Sequence, residues 1–180
     1  MRKVTSEDKD MALLKAFRKG DQQAFGWLFE RHRDGLISYA WRMTGREDVA
    51  YDICLETFAG LVVGVWRPQK PFKVSLLRVA HRMSLAAIRH QGKTPAPKTA
   101  FGPAEPGTPE GAAFDDGERA ELERGLSQLA ETYRAVLLLY YSQNLRADAV
   151  AAVLDVEESQ VKRLLVQART GLFEFLPGAS

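Results

Sequence analysis

The stretch QGKTPAPKTAFGPAEPGTPEGAAFDDG, residues 91–117, decides how the rest of the chain is divided. It contains Pro95, Pro97, Pro103, Pro106 and Pro109, interleaved with Gly92, Gly102, Gly107, Gly111 and Gly117. Proline lacks a backbone donor and restricts the residue before it, while glycine raises the entropy cost of order. No helix or central strand survives such spacing, so an extended, mobile linker is expected. It separates residues 1–90 from residues 118–180, each block the size of a small domain.

Both blocks read as helical. Apolar residues recur at helical spacing, and no alternating run sits between turn residues. In the first block helices are expected near 8–19, 21–43, 46–63 and 73–90. Asp21 follows Gly20 and suits an N-cap, and Gly45 suits a helix end. Ala50, Ile53, Cys54, Thr57, Phe58 and Leu61 line one face of the third helix. In the second block helices are expected near 118–127, 131–142, 146–154 and 158–174. Val150 and Leu154 end a short helix, Asp155-Val156-Glu157 forms a turn, and Val161, Leu164, Leu165, Ala168 and Leu172 mark the next buried face. That pattern fits a helix-turn-helix, and a plain helical hairpin fits it nearly as well. The fold class is therefore all-α, in two small domains joined by a linker.

Composition narrows the function. No apolar run reaches the roughly 20 residues needed to cross a bilayer. Met1 to Asp10 shows no signal-peptide pattern, and a cytoplasmic protein without membrane insertion is expected. A single cysteine, Cys54, excludes a disulfide framework within one chain. His32, His81 and His90 are scattered and read as surface or groove residues, so neither a metal nor a cofactor is expected. No nucleophile motif or glycine-rich phosphate loop argues for an enzyme.

Charge is distributed unevenly. Residues 1–90 hold 16 Lys and Arg against 10 Asp and Glu, a net of +6, whereas residues 118–180 hold 7 against 9. From Arg67 to Lys93 the series Arg67, Lys70, Lys73, Arg78, Arg82, Arg89 and Lys93 runs with no acid between. Uncompensated cations suit a polyanion, and the nearby Trp66 and Phe72 suit unpaired bases. Arg78, Arg82 and Arg89 share one helical face.

This ordering resembles the extracytoplasmic-function (ECF) sigma factors over residues 15–175. The run Gly20-Asp21-Gln22-Gln23-Ala24-Phe25 is similar to the family's opening, and Asp52-Ile53-Cys54-Leu55-Glu56-Thr57-Phe58 to its polymerase-binding helix. Leu76-Leu77-Arg78-Val79-Ala80 with Arg89 resembles its −10 helix. Leu126-Ser127-Gln128-Leu129 with Tyr133 to Leu139 resembles the start of its −35 domain, and Val161-Lys162, Ala168-Arg169 and Leu172 its recognition helix. The resemblance implies a first domain that binds core RNA polymerase through Asp48, Tyr51, Asp52, Leu55 and Glu56. It also implies −10 DNA contacts from Trp66, Arg67, Lys70, Lys73, Arg78, Arg82 and Arg89. Promoter contacts at −35 would come from Ser159, Lys162, Arg163 and Arg169. Such a chain acts as a monomer, without catalytic residues.

The sequence departs from the family where two acids have become Val49 and Tyr51 and a glutamine has become Leu55. Resemblance to members with a neutralised acidic stretch implies a Ser/Thr kinase acting at Thr57 or Thr44, whose phosphate would restore charge. An anti-sigma factor is the other regulator implied. Arg82, Ser75 and Gln167 also replace usual family residues. Two other readings remain open at this stage: a sigma-like decoy that binds polymerase or an anti-sigma factor without initiating, and a helix-turn-helix operator regulator.

Overall fold

The computed structural model describes residues 6–69, 71–91 and 116–175. The linker segment 92–115, with Lys93, lies outside the described residues, as does Lys70. The first block consists of α1 (Ser6–Arg18), α2 (Gln22–Thr44), α3 (Glu47–Val62) and α4 (Phe72–Gln91). The second consists of α5 (Asp116–Gln128), α6 (Glu131–Leu137), a π-helical turn (Leu138–Ser142), α7 (Ala147–Leu154) and α8 (Glu158–Phe175). No strand occurs among the described residues, which makes the fold all-α.

Helix ends follow local chemistry. Asp21 caps α2 by accepting the Ala24 N–H at 3.2 Å. Gly45 closes the same helix at φ 70°, its N–H reaching the Trp41 carbonyl at 2.7 Å. That left-handed conformation strains any residue with a Cβ. Glu47 and Asp48 occupy the first turn of α3, where negative charge suits the helix dipole. Asp155 ends α7 at φ 60°, and this left-handed residue makes the turn between α7 and α8.

Helix α2 is the hub of the first block and packs against α1, α3 and α4. Leu28, Leu36, Tyr39 and Met43 are fully buried, as are Phe72, Leu76 and Leu77 of α4. Each buried side chain of this size contributes roughly 1.5–3 kcal/mol. Phe58 of α3 receives Phe25 and Phe29 edge-on, with centroids 6.0 and 5.0 Å away. In the second block α8 packs on α5, α6 and α7 through Val161, Leu165 and Ala168. One continuous apolar cluster runs through both blocks.

Two expectations need correction. The helix expected over 131–142 changes pitch at Leu138, where five residues adopt the wider π form. Two of the three histidines are core residues and not surface ones. His81 is 7% exposed, and its Nδ1 lies 2.8 Å from the buried Tyr39 hydroxyl. His32 is also buried, with Nε2 2.9 Å from Asp10 Oδ2, while Arg31 Nη1 reaches Asp10 Oδ1 at 2.6 Å. Burial lowers the His32 pKa despite the opposing pull of Asp10, and the ring donates Nε2–H to the carboxylate.

Burial, helped by Arg82, pushes the His81 pKa down to about 4. The unfolded chain therefore binds a proton that the folded chain refuses between the ordinary value of 6.5 and about 4. This contribution is complete above the unfolded pKa and is lost as pH falls through that window, by about 1.4 kcal/mol per unit. Urea unfolding of wild type and His81→Gln at pH 7.5 and 5 should show wild type losing more stability. Equal losses would contradict the burial argument.

Candidate polymerase and nucleic-acid interfaces

Helix α3 has two unlike faces. Its inner face buries Ile53, Cys54, Thr57, Phe58 and Leu61, and burial raises the Cys54 thiol to about 11. Its outer face exposes Tyr51 (45%) and Leu55 (58%), one turn apart, with Asp48, Asp52 and Glu56 alongside. Val62 continues this apolar stripe at the end of the helix. Exposed apolar side chains in line mark a contact surface. Asp48 is already hydrogen-bonded by Arg46, which holds its carboxyl below the usual range. Asp52 and Glu56 are the acids left facing outward.

Both candidate phosphosites point inward. Thr57 is 0% exposed and its hydroxyl donates to the Ile53 carbonyl at 2.6 Å. Thr44 is 7% exposed and donates to the Ala40 carbonyl at 2.8 Å. Phosphate on either requires its helix to come away from the core, so this geometry argues against a kinase switch there.

The loop from α3 to α4 turns at Gly64, φ 77°. Trp66 folds back on α3: its indole N–H donates to the Thr57 carbonyl at 2.8 Å, and its ring lies against Gly60. A Cβ at position 60 would meet the ring at 3.1 Å. Arg67 stands exposed beside it, above a groove of about 500 Å³ that Arg18 and Leu61 also line.

On α4, Arg82 and Arg89 project into solvent. The other two Lys and Arg residues of α4 are engaged by the second block. Lys73, half-buried and with its pKa lowered by burial, donates to the Gln143 carbonyl at 2.7 Å. Arg78 pairs with Asp155 at 2.9 Å. On α8, Ser159, Lys162, Arg163 and Arg169 are all exposed. Lys162 pairs with Glu158 at 3.1 Å, and Arg169 lies 5.4 Å over the Tyr141 ring. The short α7, the Asp155 turn and the long α8 with an exposed polar face have the form of a helix-turn-helix.

The sequence reading missed Gly35, Arg42, Arg134 and Gln143, which join the blocks. Arg134 donates to the carbonyls of Leu126, Ser127 and Leu129, and across the junction to Met43 at 2.7 Å. A glycine inside an otherwise well-formed α2 was the one visible signal.

Family models place these helices. Sigma-70 region 2 matches residues 28–94, and sigma-70 region 4 matches residues 119–172. The RNA polymerase sigma factor CarQ of Myxococcus xanthus is 30% identical over 131 residues, 70% of this chain and 74% of that protein. The chain belongs to the ECF sigma factor family. The ECF sigma factor SigE of Mycolicibacterium smegmatis is 27% identical over 165 residues; the match takes in 87% of this chain and 64% of that longer protein. The solved structure of CnrH with the cytosolic domain of CnrY shares the fold at TM-score 0.71 and 24% identity, covering 96% of this chain and 100% of that one. Regions 2 and 4 thus correspond to the first and second helical blocks. Among the described residues no helix is long and apolar enough to cross a membrane.

Replacing Thr57 by Glu would bury an unpaired carboxylate and should destabilise the chain by about 3–5 kcal/mol. Denaturant unfolding would register this as a lower midpoint. An unchanged midpoint would show that the site can open to accept a phosphate.

Proposed function

We propose that this chain directs core RNA polymerase to specific promoters in the cytoplasm, without covalent chemistry of its own. The carrying observation is the order of region 2 and region 4 on one chain, with an apolar–acidic stripe on α3 and exposed cations on α4 and α8. The domains of this reading are residues 1–90 and 118–180, with 91–117 between them. Tyr51 and Leu55 dock on polymerase, and Asp52 and Glu56 meet its basic rim. Apolar anchors at the centre of a contact carry most of its energy, which lets Tyr51 and Leu55 offset the missing acids.

Arg67, Arg82 and Arg89 follow the backbone of the −10 strand, joined by Lys73 and Arg78 when the second block moves aside. The loop at Trp66 positions Arg67 by its hydrogen bond to α3. Ser159, Lys162, Arg163 and Arg169 face the major groove at −35. The pairs Lys162–Glu158 and Arg169–Tyr141 are surface contacts, each worth about 1 kcal/mol or less, so they yield readily to phosphate. An anti-sigma factor is the regulator this reading favours, since the sigma factor RpoE of Bartonella quintana, similar in fold at TM-score 0.67 and 17% identity, was solved with the anti-sigma factor NepR.

Purified chain added to core polymerase should yield promoter-specific transcripts. Polymerase binding without transcripts would support a decoy, and DNA binding without polymerase an operator regulator. The double variant Tyr51→Ala/Leu55→Ala should weaken polymerase binding by about tenfold or more. Arg82→Ala and Arg89→Ala should each lower the salt slope of DNA binding by about 0.7–1 unit. An unchanged slope in both would remove α4 from the DNA contact.

A further inference from the structure

We propose that the cavity where α2, α4 and Gln143 meet is a binding site for one free oxyanion of the phosphate class, held by Arg31 and Lys73.

The cavity has a volume of about 200 Å³. Arg31 and His32 of α2, Lys73 of α4 and Gln143 supply its polar wall, and Leu76 and Leu77 its apolar part. The volume lies below the roughly 300 Å³ at which pockets for drug-sized ligands begin. It is several times the roughly 30 Å³ that a water molecule takes in the liquid. That range suits a single small ion with part of its water shell, and excludes a nucleotide.

Charge decides which ion. Arg31 and Lys73 bring two positive charges to a half-buried place. The carboxylate that offsets them is Asp10, whose two oxygens are taken by Arg31 Nη1 at 2.6 Å and His32 Nε2 at 2.9 Å. Lys73 is left with a neutral partner, the Gln143 carbonyl at 2.7 Å. The Gln143 side-chain amide is engaged by the Gly35 carbonyl at 2.9 Å. Burial lowers the Lys73 pKa against the pull of Asp10, and the charges of Lys73 and Arg31 both bear on the His32 ring. Two cations against one carboxylate leave one positive charge in excess beside the cavity.

A half-buried ammonium gains most from an ionised acceptor, since charge-assisted hydrogen bonds are about twice as strong as neutral ones. Among the described residues, Arg31 Nε and Nη2 and two of the Lys73 protons carry no hydrogen bond, so donors remain on both helices. A tetrahedral oxyanion presents acceptors in several directions at once and can bridge donors from α2 and α4. The Arg31 side chain is 37% exposed, which leaves a path from solvent. An ion so placed competes with a promoter strand for Lys73. That consequence rests on α4 being a promoter-strand contact, whereas the site itself does not.

The test is a nuclear magnetic resonance titration of the full isotope-labelled chain at neutral pH. Sodium phosphate is compared with sodium chloride at matched ionic strength. The Gly35 backbone amide and the Gln143 side-chain amide report on the cavity. Phosphate should shift both along a saturating curve and should raise the thermal midpoint beyond chloride. Arg31→Gln and Lys73→Gln should each raise the dissociation constant about tenfold or more. Arg33→Gln removes the same charge from a surface pair on the same helix and should leave the constant unchanged. Shifts that grow without saturating, as with chloride, mean screening alone and overturn the proposal. Equal affinity in Arg31→Gln and Arg33→Gln overturns it too, as do saturating shifts confined to the exposed Arg82 and Arg89 end of α4. A short single-stranded DNA supplies the other source of the same chemistry. A strand that moves both reporter amides where free phosphate does not would assign the cavity to backbone phosphate and sink the free-ion reading.

Discussion

The burial of α2 is the constraint on which the other parts depend. From Leu28 to Met43 this helix presents buried side chains toward α1, α3 and α4. Its ends are set by Asp21 and Gly45, so its length and direction are fixed locally before any tertiary contact forms. α3 can then bury Ile53, Phe58 and Leu61 only by turning Tyr51 and Leu55 outward. α4 likewise buries Phe72, Leu76 and Leu77 and turns Arg82 and Arg89 to solvent. The outward stripe and the outward cations are consequences of one packing decision.

Charge is used differently on the two sides of the molecule. Asp48 is satisfied within the chain by Arg46, whereas Asp52 and Glu56 face out. Lys73 and Arg78 are engaged by the second block, although Arg78 Nε stays buried without a partner, whereas Arg82 and Arg89 face solvent. The internal partners are an exposed carboxylate and backbone or neighbouring groups, all of which solvent can replace. The buried polar pairs, Tyr39 with His81 and Asp10 with His32, sit in the core and contribute to folding.

Much of this was legible beforehand because the signals are local. Capping by Asp21, closure at Gly45, the turn at Asp155 and the 3.6-residue spacing of apolar side chains each depend on neighbours in sequence. The exposure of Tyr51 and Leu55 followed from the same spacing. What escaped depends on partners far along the chain. His81 looks polar and solvent-seeking until Tyr39, 42 residues away, is placed beside it. Thr57 reads as a candidate phosphosite until its inward packing against Met83, from another helix, is in place. Gln143 has nothing nearby to mark it, and its partners Gly35 and Lys73 lie 108 and 70 residues away.

The π-helical turn at Leu138–Ser142 carries a consequence for how chains of this kind diverge. An α-helix advances about 100° per residue, so one residue more or fewer changes the heading of everything after it. Loss of a single residue from LLYYS would restore ordinary pitch and rotate the following segment by roughly that angle. Gln143 would then miss Gly35, and α7 with its neighbour would leave in a new direction. The relative orientation of the two halves is thus encoded in a residue count, a setting that one in-frame deletion could reset while leaving every apolar side chain of the first half in place.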